Sequence, residues 1–385
     1  MLNIKASAVK WSIILIIIAF FFSSCKEKPW VPGMPLSKEK VKIGVIHNTN
    51  PFAESSGYSF AHQLGIEEMQ VNLGIWDAQV LYRINVDDLD PLHIEGRIRE
   101  LIAQGANIIF ATSFGYMDIC EKLAQEYPMV VFAHATGYKY NETNFTNYFG
   151  RVYQARYLSG IVAGLQTKTN KIGFVAAWGM DNSEVTGGLN AFAMGVEKVN
   201  PNAQIIVKVT HSWFDPMGEA SAVRALIAAG CDVIAQHCDT ANPQLEAQRA
   251  GVWGIGYNTD MSLVAPDSVL TSVVWHWGAY YTMLVQSVID GTFTTEPWFG
   301  SLNDHIVDLA PLNRRIKYTQ PLNAADSFNI LDEERRRIQM GAFSVFSGVI
   351  ETNDGRRIGK EGEVFSDNEI RNNIDWYYRN INVIR

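Results

Sequence analysis

Cysteine is scarce in this chain, with 4 among 385 residues. No two form a Cys-x-x-Cys, so neither a zinc knuckle nor a thioredoxin-like redox pair is encoded. If 231–238 is a strand, the ends of Cys231 and Cys238 lie roughly 23 Å apart at about 3.3 Å per residue. A disulfide tolerates Cα separations of only about 7 Å. Cys120, Cys231 and Cys238 are therefore expected as buried thiols acting as small hydrophobes. Positive charge is also thin. Lys and Arg number 32 against 40 Asp and Glu, for a net charge of −8, and no basic run occurs. That excludes a nucleic-acid-binding surface as the main business of the chain. No apolar run approaches the roughly 20 residues of a membrane span. Glycine-rich phosphate loops, G-x-G-x-x-G, G-x-S-x-G and an H-x-E paired with a Cys-x-x-Cys are missing, which removes the enzymes that announce themselves locally.

The N-terminus carries a different signal. Lys5 and Lys10 precede WSIILIIIAFFF, and SSC follows. A basic start, an apolar run of twelve and small residues before a break read as a secretion signal over residues 1–24. FSSC resembles a lipobox, which makes Cys25 the expected lipidated first residue of the mature chain. Removing two Lys takes the net charge from −8 to −10. Residues 25–40, with three Pro and one Gly from Lys26 onward, read as a tether.

The body of the chain repeats itself. LIAQGANIIF at 101–110 returns as LIAAGCDVIA at 226–235, and KIGVIHN at 42–48 returns as KIGFVAA at 171–177. The offsets are 125 and 129. Within the repeat, Ile98, Leu101 and Ile102 form one helical stripe. Gly105 sits where a helix end needs a left-handed residue, and NIIFA suits a strand covered on both faces. Gly230 occupies the second copy. Such units alternate along the whole chain, which predicts parallel α/β layers. Two sets of about five units predict two doubly wound, Rossmann-like lobes.

Ligands of open parallel sheets bind at the carboxyl ends of the strands. The strand exits here are HNTNPFAESSGYSFAH, TSFGYMD and HATGY in the first half, then AWGMD, HSWFD, QHCDT, YNTDM and WHWG. Nearly every one carries an aromatic or an amide–carboxylate pair. Flat rings stack on flat ligands, and Asn or Asp reads ring N–H and N: edges.

Four stretches, NYFGRVYQARYLSGIVAGLQTKTNKIGFVAA, GYNTDM, LTSVVW and WFGSLNDHIVDLAP, resemble the basic membrane protein family of substrate-binding lipoproteins, over roughly residues 40–350. TSFGYMD, HATGY, YQARYL, QHCD and SVVWHWG are most similar to its purine-base branch. The resemblance implies a type I periplasmic binding protein fold joined by a three-stranded hinge. It places the first lobe at 41–148 plus 274–300 and the second at 149–273 plus 301–385. It implies a monomer on a bacterial membrane, facing periplasm or exterior, that delivers an adenine-like base to an ABC permease and ATPase, without cofactor, metal or catalysis. The alternatives are a nucleoside receptor, a ligand-sensing lipoprotein and a purine-processing hydrolase. Relatives that grip ribose carry Asp and Lys where this chain has Asn258 and Trp275. An amide accepts fewer hydroxyl bonds than a carboxylate, and indole offers one donor only. A free base is therefore expected.

The candidate ligand-binding residues are Tyr58 as a stacking lid, and Ser113, Phe114 and Gly115 as donors at a helix start. Trp178 is the opposite wall. Asp239 accepts from an amine or ring N–H, with Asn258 and Asp260 reading edges, and one or both of Trp275 and Trp277 line the cleft. His62 is expected as a satisfied helix residue, and Arg151 and Arg156 as partners of carboxylates across the hinge. At the end, DEERRRIQMG reads as a helix ending at Gly341, GVIETNDGRRIG as a hairpin at Asp354–Gly355, and FSDNEIRNNIDWYYRNI as a closing helix.

Overall fold

A computed structural model describes residues 29–313 and 324–384 of the chain. The expected signal segment 1–24 and Cys25 lie outside the described residues.

The first half alternates β1 (Ile43–Ile46), α1 (Tyr58–Leu73), β2 (Val80–Arg83), α2 (Pro91–Ala103), β3 (Ile108–Ala111), α3 (Met117–Glu126), β4 (Val131–Ala135) and β5 (Phe145–Gly150). The second half follows with α4 (Val152–Gln166), β6 (Lys171–Ala176), α5 (Ser183–Val199), β7 (Gln204–Val209), α6 (Pro216–Ala228), β8 (Val233–His237), α7 (Asn242–Ala250), β9 (Trp253–Asn258) and β10 (Val269–Trp275). These strands build two sheets in the same order, β5-β4-β3-β1-β2 and β10-β9-β8-β6-β7, with every neighbour parallel. Each sheet gains later strands. After α8 (Gly278–Asp290), β11 (Trp298–Gly300) adds in parallel to β5, and β12 (Val307–Leu309) adds antiparallel to β10. The chain thus passes between the sheets three times, at 150–171, 275–298 and 300–307.

The repeated phrase is a repeated packing solution. A Cβ on Gly44 would meet Ile109 Cδ1 at 2.8 Å and Leu101 Cβ at 3.1 Å; one on Gly173 would meet Ile234 Cδ1 at 2.8 Å and Leu226 Cβ at 3.0 Å. In each sheet an isoleucine of the neighbouring strand and a leucine of the covering helix crowd the glycine so closely that an added Cβ collides. Gly105 and Gly230 end the two helices at φ +92° and +93°, a region other residues rarely adopt. The duplication also reaches the helix starts. Asp90 and Asp215 cap them with their carboxylates, and Pro91 and Pro216 occupy the next position, 125 residues apart.

Two ends of the chain differ from expectation. The tether is not wholly free, because Leu36 is buried and its N–H donates to Val288 O and Ile289 O on α8, each at 3.2 Å. The tail is not one closing helix. After α9 (Ala324–Gln339) and the expected hairpin of β13 (Ile350–Glu351) and β14 (Arg357–Ile358), α10 spans only Asp367–Asn372. The chain then forms β15 (Ile381–Ile384), parallel to β7 at the sheet edge. Alternation in the last residues, INVI, is too short to reveal a strand without its partner. Cys120, Cys231 and Cys238 are free and buried.

Gly173→Ala is expected to lower stability by about 1–3 kcal/mol through overpacking. Adding Ile234→Val, which deletes the obstructing Cδ1, should recover part of the loss in urea denaturation; an equal loss in the double variant would contradict this packing.

Candidate functional site

The two sheets face one another with their carboxyl ends, and between them lies a cleft of about 510 Å³. From the first sheet come Asn48, Tyr58, Asp88, Leu89, Ser113, Phe114, Gly115 and Thr136. From the second come Trp178, Glu184, the loop His211–Phe214, Asp239 and Tyr257. Each follows or ends a strand, so the architecture alone brings them together. The two walls touch. A Cβ on Gly57 would fall 2.5 Å from the carbonyl oxygen of Asp239, and Gly57 has φ +101°. The lobes are closed, and the approach depends on glycine beside Tyr58.

Tyr58 opens α1 and meets His62 edge-on, with ring centroids 4.5 Å apart. Among the described residues its buried hydroxyl has no partner, and neither has the buried indole N–H of Trp178 on the other wall. Burial, then neighbouring Tyr148, Glu184, Asp239 and Tyr257, holds the Tyr58 hydroxyl well above its ordinary pKa. Both residues therefore bring a neutral polar tip on a flat apolar body.

Asp239 sits at the exit of β8. Its backbone N–H donates to Trp213 O at 2.8 Å, and its Oδ1 accepts from Asn258 Nδ2 at 3.1 Å. It caps no helix, since α7 begins without a side-chain cap. Burial raises its pKa well above the usual range; the Asn258 hydrogen bond opposes this, and Glu219, Glu184 and Glu54 add to it. Such a carboxyl becomes a strong acceptor once a ligand supplies N–H donors.

Glu184, in the first turn of α5, was not anticipated. Its side chain is about 25% exposed, with Oε1 3.5 Å from His237 Nε2. Burial and the nearby Arg156 keep that imidazole neutral, so the contact is not an ion pair. Burial pushes Glu184 up to about 7, against the pull of Arg156 and Arg371. Beneath the cleft, the Arg156 guanidinium lies 4.1 Å from the centre of the Tyr257 ring and donates to Gln236 O at 2.7 Å. Arg156 therefore meets a ring and a carbonyl where a carboxylate partner was expected, while Arg151 pairs with Asp367 at 2.6 Å.

Of the sequence candidates, Tyr58, Ser113, Phe114, Gly115, Trp178 and Asp239 border the cleft. The Ser113 hydroxyl is already committed to Asp88. Asn258 is fully buried behind Asp239 with φ +70°, and acts on the cleft through it. Asp260 stands outside, accepting from Ser262 N–H at 3.0 Å in a turn. Trp275 and Trp277 do not border the cleft either. They stack on each other at 4.4 Å, Trp277 stacks on His62 at 4.2 Å, and the Trp275 indole donates to Tyr257 Oη at 3.2 Å. Strand ends at Trp275, so the two-residue alternation that would have put both on one face stops there. They buttress Tyr257 and Tyr58 from behind. The residues missed on the β7 exit, His211 to Phe214, lay in an exit already noted as aromatic. Glu184 left no signal beyond its place at the start of a helix. Among the described residues no cluster of His, Cys, Asp and Glu could hold a metal ion, and no helix is long and apolar enough to cross a membrane.

A family model described as ABC transporter substrate-binding protein, PnrA-like, matches residues 41–340. A purine-binding protein of Brucella abortus is 34% identical over 336 residues, covering 87% of this chain and 91% of that protein. A putative ABC transporter glucose-binding protein of Haloferax volcanii is 37% identical over 254 residues; the match covers 66% of this chain and 63% of that protein, less than two thirds of its length. The solved structure of an ABC transporter system solute-binding protein from Conexibacter woesei matches with a TM-score of 0.64 at 20% identity, over 79% of this chain and 98% of that one, which speaks to the fold.

With its carboxyl pushed to about 7, Glu184 makes the folded chain hold a proton that the unfolded chain releases near 4.5. Its contribution to stability therefore falls as pH rises from about 4.5 through about 7. Glu184→Gln should gain about 1–3 kcal/mol on the parent between those limits, measured by urea denaturation near pH 4.5 and pH 8. A pH-independent difference would remove Glu184 from this role.

Proposed function

The chain belongs to the PnrA-like family of ABC transporter substrate-binding proteins, and from that premise we propose that its cleft captures a purine base, adenine first, and presents it to an ABC permease and ATPase. In this reading the protein is a lipoprotein held at Cys25, with residues 1–24 removed. The first lobe comprises 41–148 plus 274–300, and the second 149–273 plus 301–385. Its task is capture and delivery; it is not an enzyme.

One observation carries the choice of ligand. Two flat, half-buried aromatic side chains with neutral polar tips, Tyr58 and Trp178, share one closed cleft with a carboxyl group, Asp239, that Asn258 orients. A purine offers a flat face to such rings and an amine with ring N–H groups to the carboxyl. Donation from those groups favours the ionised carboxylate, offsetting its burial. A sugar can lay a C–H face on such rings, but it brings no aromatic ring and no amine or ring N–H for the carboxyl. The purine-binding relative from Brucella abortus supports the same choice.

Isothermal calorimetry on the protein lacking residues 1–25 should show one tight site for adenine, much weaker heats for guanosine and inosine, and none for glucose. Ribosides binding as well as bases would overturn the free-base reading. Trp178→Ala should cost about 1–3 kcal/mol of affinity, the usual worth of one base stacked on an aromatic. Unchanged affinity would show that Trp178 is only wall.

A further inference from the structure

The tail beyond the family match reaches a chamber beside the cleft. Helix α10 is fastened to the second lobe by its packing on α5, and the following segment by Asn190, which donates to Trp376 O at 2.8 Å and accepts from Tyr378 N–H at 2.8 Å. From this anchorage Arg371 crosses to the first lobe. Its guanidinium donates to Gly137 O at 2.7 Å and lies 5.0 Å from the centre of the Phe299 ring on β11. Asp367, one turn earlier, holds Arg151 at the crossing between the sheets in a two-point pair of 2.9 and 2.6 Å. Arg151 lies 5.2 Å from the same Phe299 ring.

The turn that Arg371 grips is strained. Thr136, which borders the cleft, has φ +64°, and a β-branched residue adopts that region at a cost of order 1–3 kcal/mol. Gly137 cannot be replaced without collision, because a Cβ there would lie 2.1 Å from His134 Nδ1. A second chamber of about 70 Å³ opens beside the cleft and is bordered by Thr136, Glu184 and Arg371 together. Arg371 thus touches a strained first-lobe turn while facing a second-lobe carboxyl of the cleft.

We infer that Arg371 is a positioning residue for closure: from the tail it pins the Thr136–Gly137 turn of the first lobe against the second and so biases the lobes toward the closed state. The bond to Gly137 O exists only when the lobes meet, so it stabilises the closed state differentially, as a population shift requires. Ligand release has to break it, and the tail therefore sets how long a captured molecule stays. The effect on affinity rests on the reading of the cleft as a base site; the effect on lobe geometry does not.

The test places spin labels at Leu92→Cys and Met217→Cys, exposed positions on opposite lobes, in a chain whose Cys120, Cys231 and Cys238 are buried. Ligand-free protein should give one short interlobe distance. Arg371→Met should shift the distribution to longer distances, and adenine should dissociate about tenfold faster with little change in association. Arg371→Lys, which keeps a donor, should recover part of both. An unmoved distance distribution in Arg371→Met overturns the proposal, and so does a loss of melting temperature with unchanged distances. A shifted distance in a protein that binds no adenine sinks the base reading and leaves the positioning role standing.

Discussion

Parallel strands that stop together leave all their following loops on one side. Here two such sheets face each other, and the groups that line the cleft are delivered by that constraint. Tyr58, Ser113, Trp178 and Asp239 come from four separate strand exits. None is near another in the chain. The cleft follows from the layers, and the layers follow from helices seated on Gly44 and Gly173. Loosening either seat moves a whole row of exits.

The chemistry of the cleft comes from withholding water. Asp239, Glu184 and Tyr58 all shift toward their neutral forms, with burial as the leading cause in each. Three acids facing one space would also repel if ionised, and that repulsion pushes Asp239 and Tyr58 the same way as burial. Arg156 sets the opposite bias from below the floor, itself drawn down to about 10 by burial. The stack of Trp275, Trp277 and His62 adds no recognition of its own. It fixes the angle of the residues in front of it, through one indole N–H and two ring faces.

Much of this was legible in the sequence. The two repeated phrases announced the lobes because close packing under a strand admits only glycine, and glycine followed by an apolar run is visible by eye. The exits were legible for the same reason. What could not be read was orientation. Trp275 lies at the end of a strand and Trp277 at the start of a helix, so no single periodicity governs the pair. Asn258 was placed at the right exit but one layer too far forward, since a left-handed backbone turns it behind Asp239. Arg371 becomes meaningful only through Gly137, 234 residues earlier in the chain, and no spacing rule reaches so far. The tail was misjudged where its strand depends on pairing with β7.

That last strand has a consequence of its own. β7 would otherwise end the second sheet with a row of free amide and carbonyl groups, a template for another chain to add to. Ile381–Ile384 occupy that row in register from Ile205 to Lys208. The edge thereby passes from the six-residue β7 to the four-residue β15, and a short edge strand is a poorer template. Without these four residues the longer edge of β7 would lie open to any extended peptide it met.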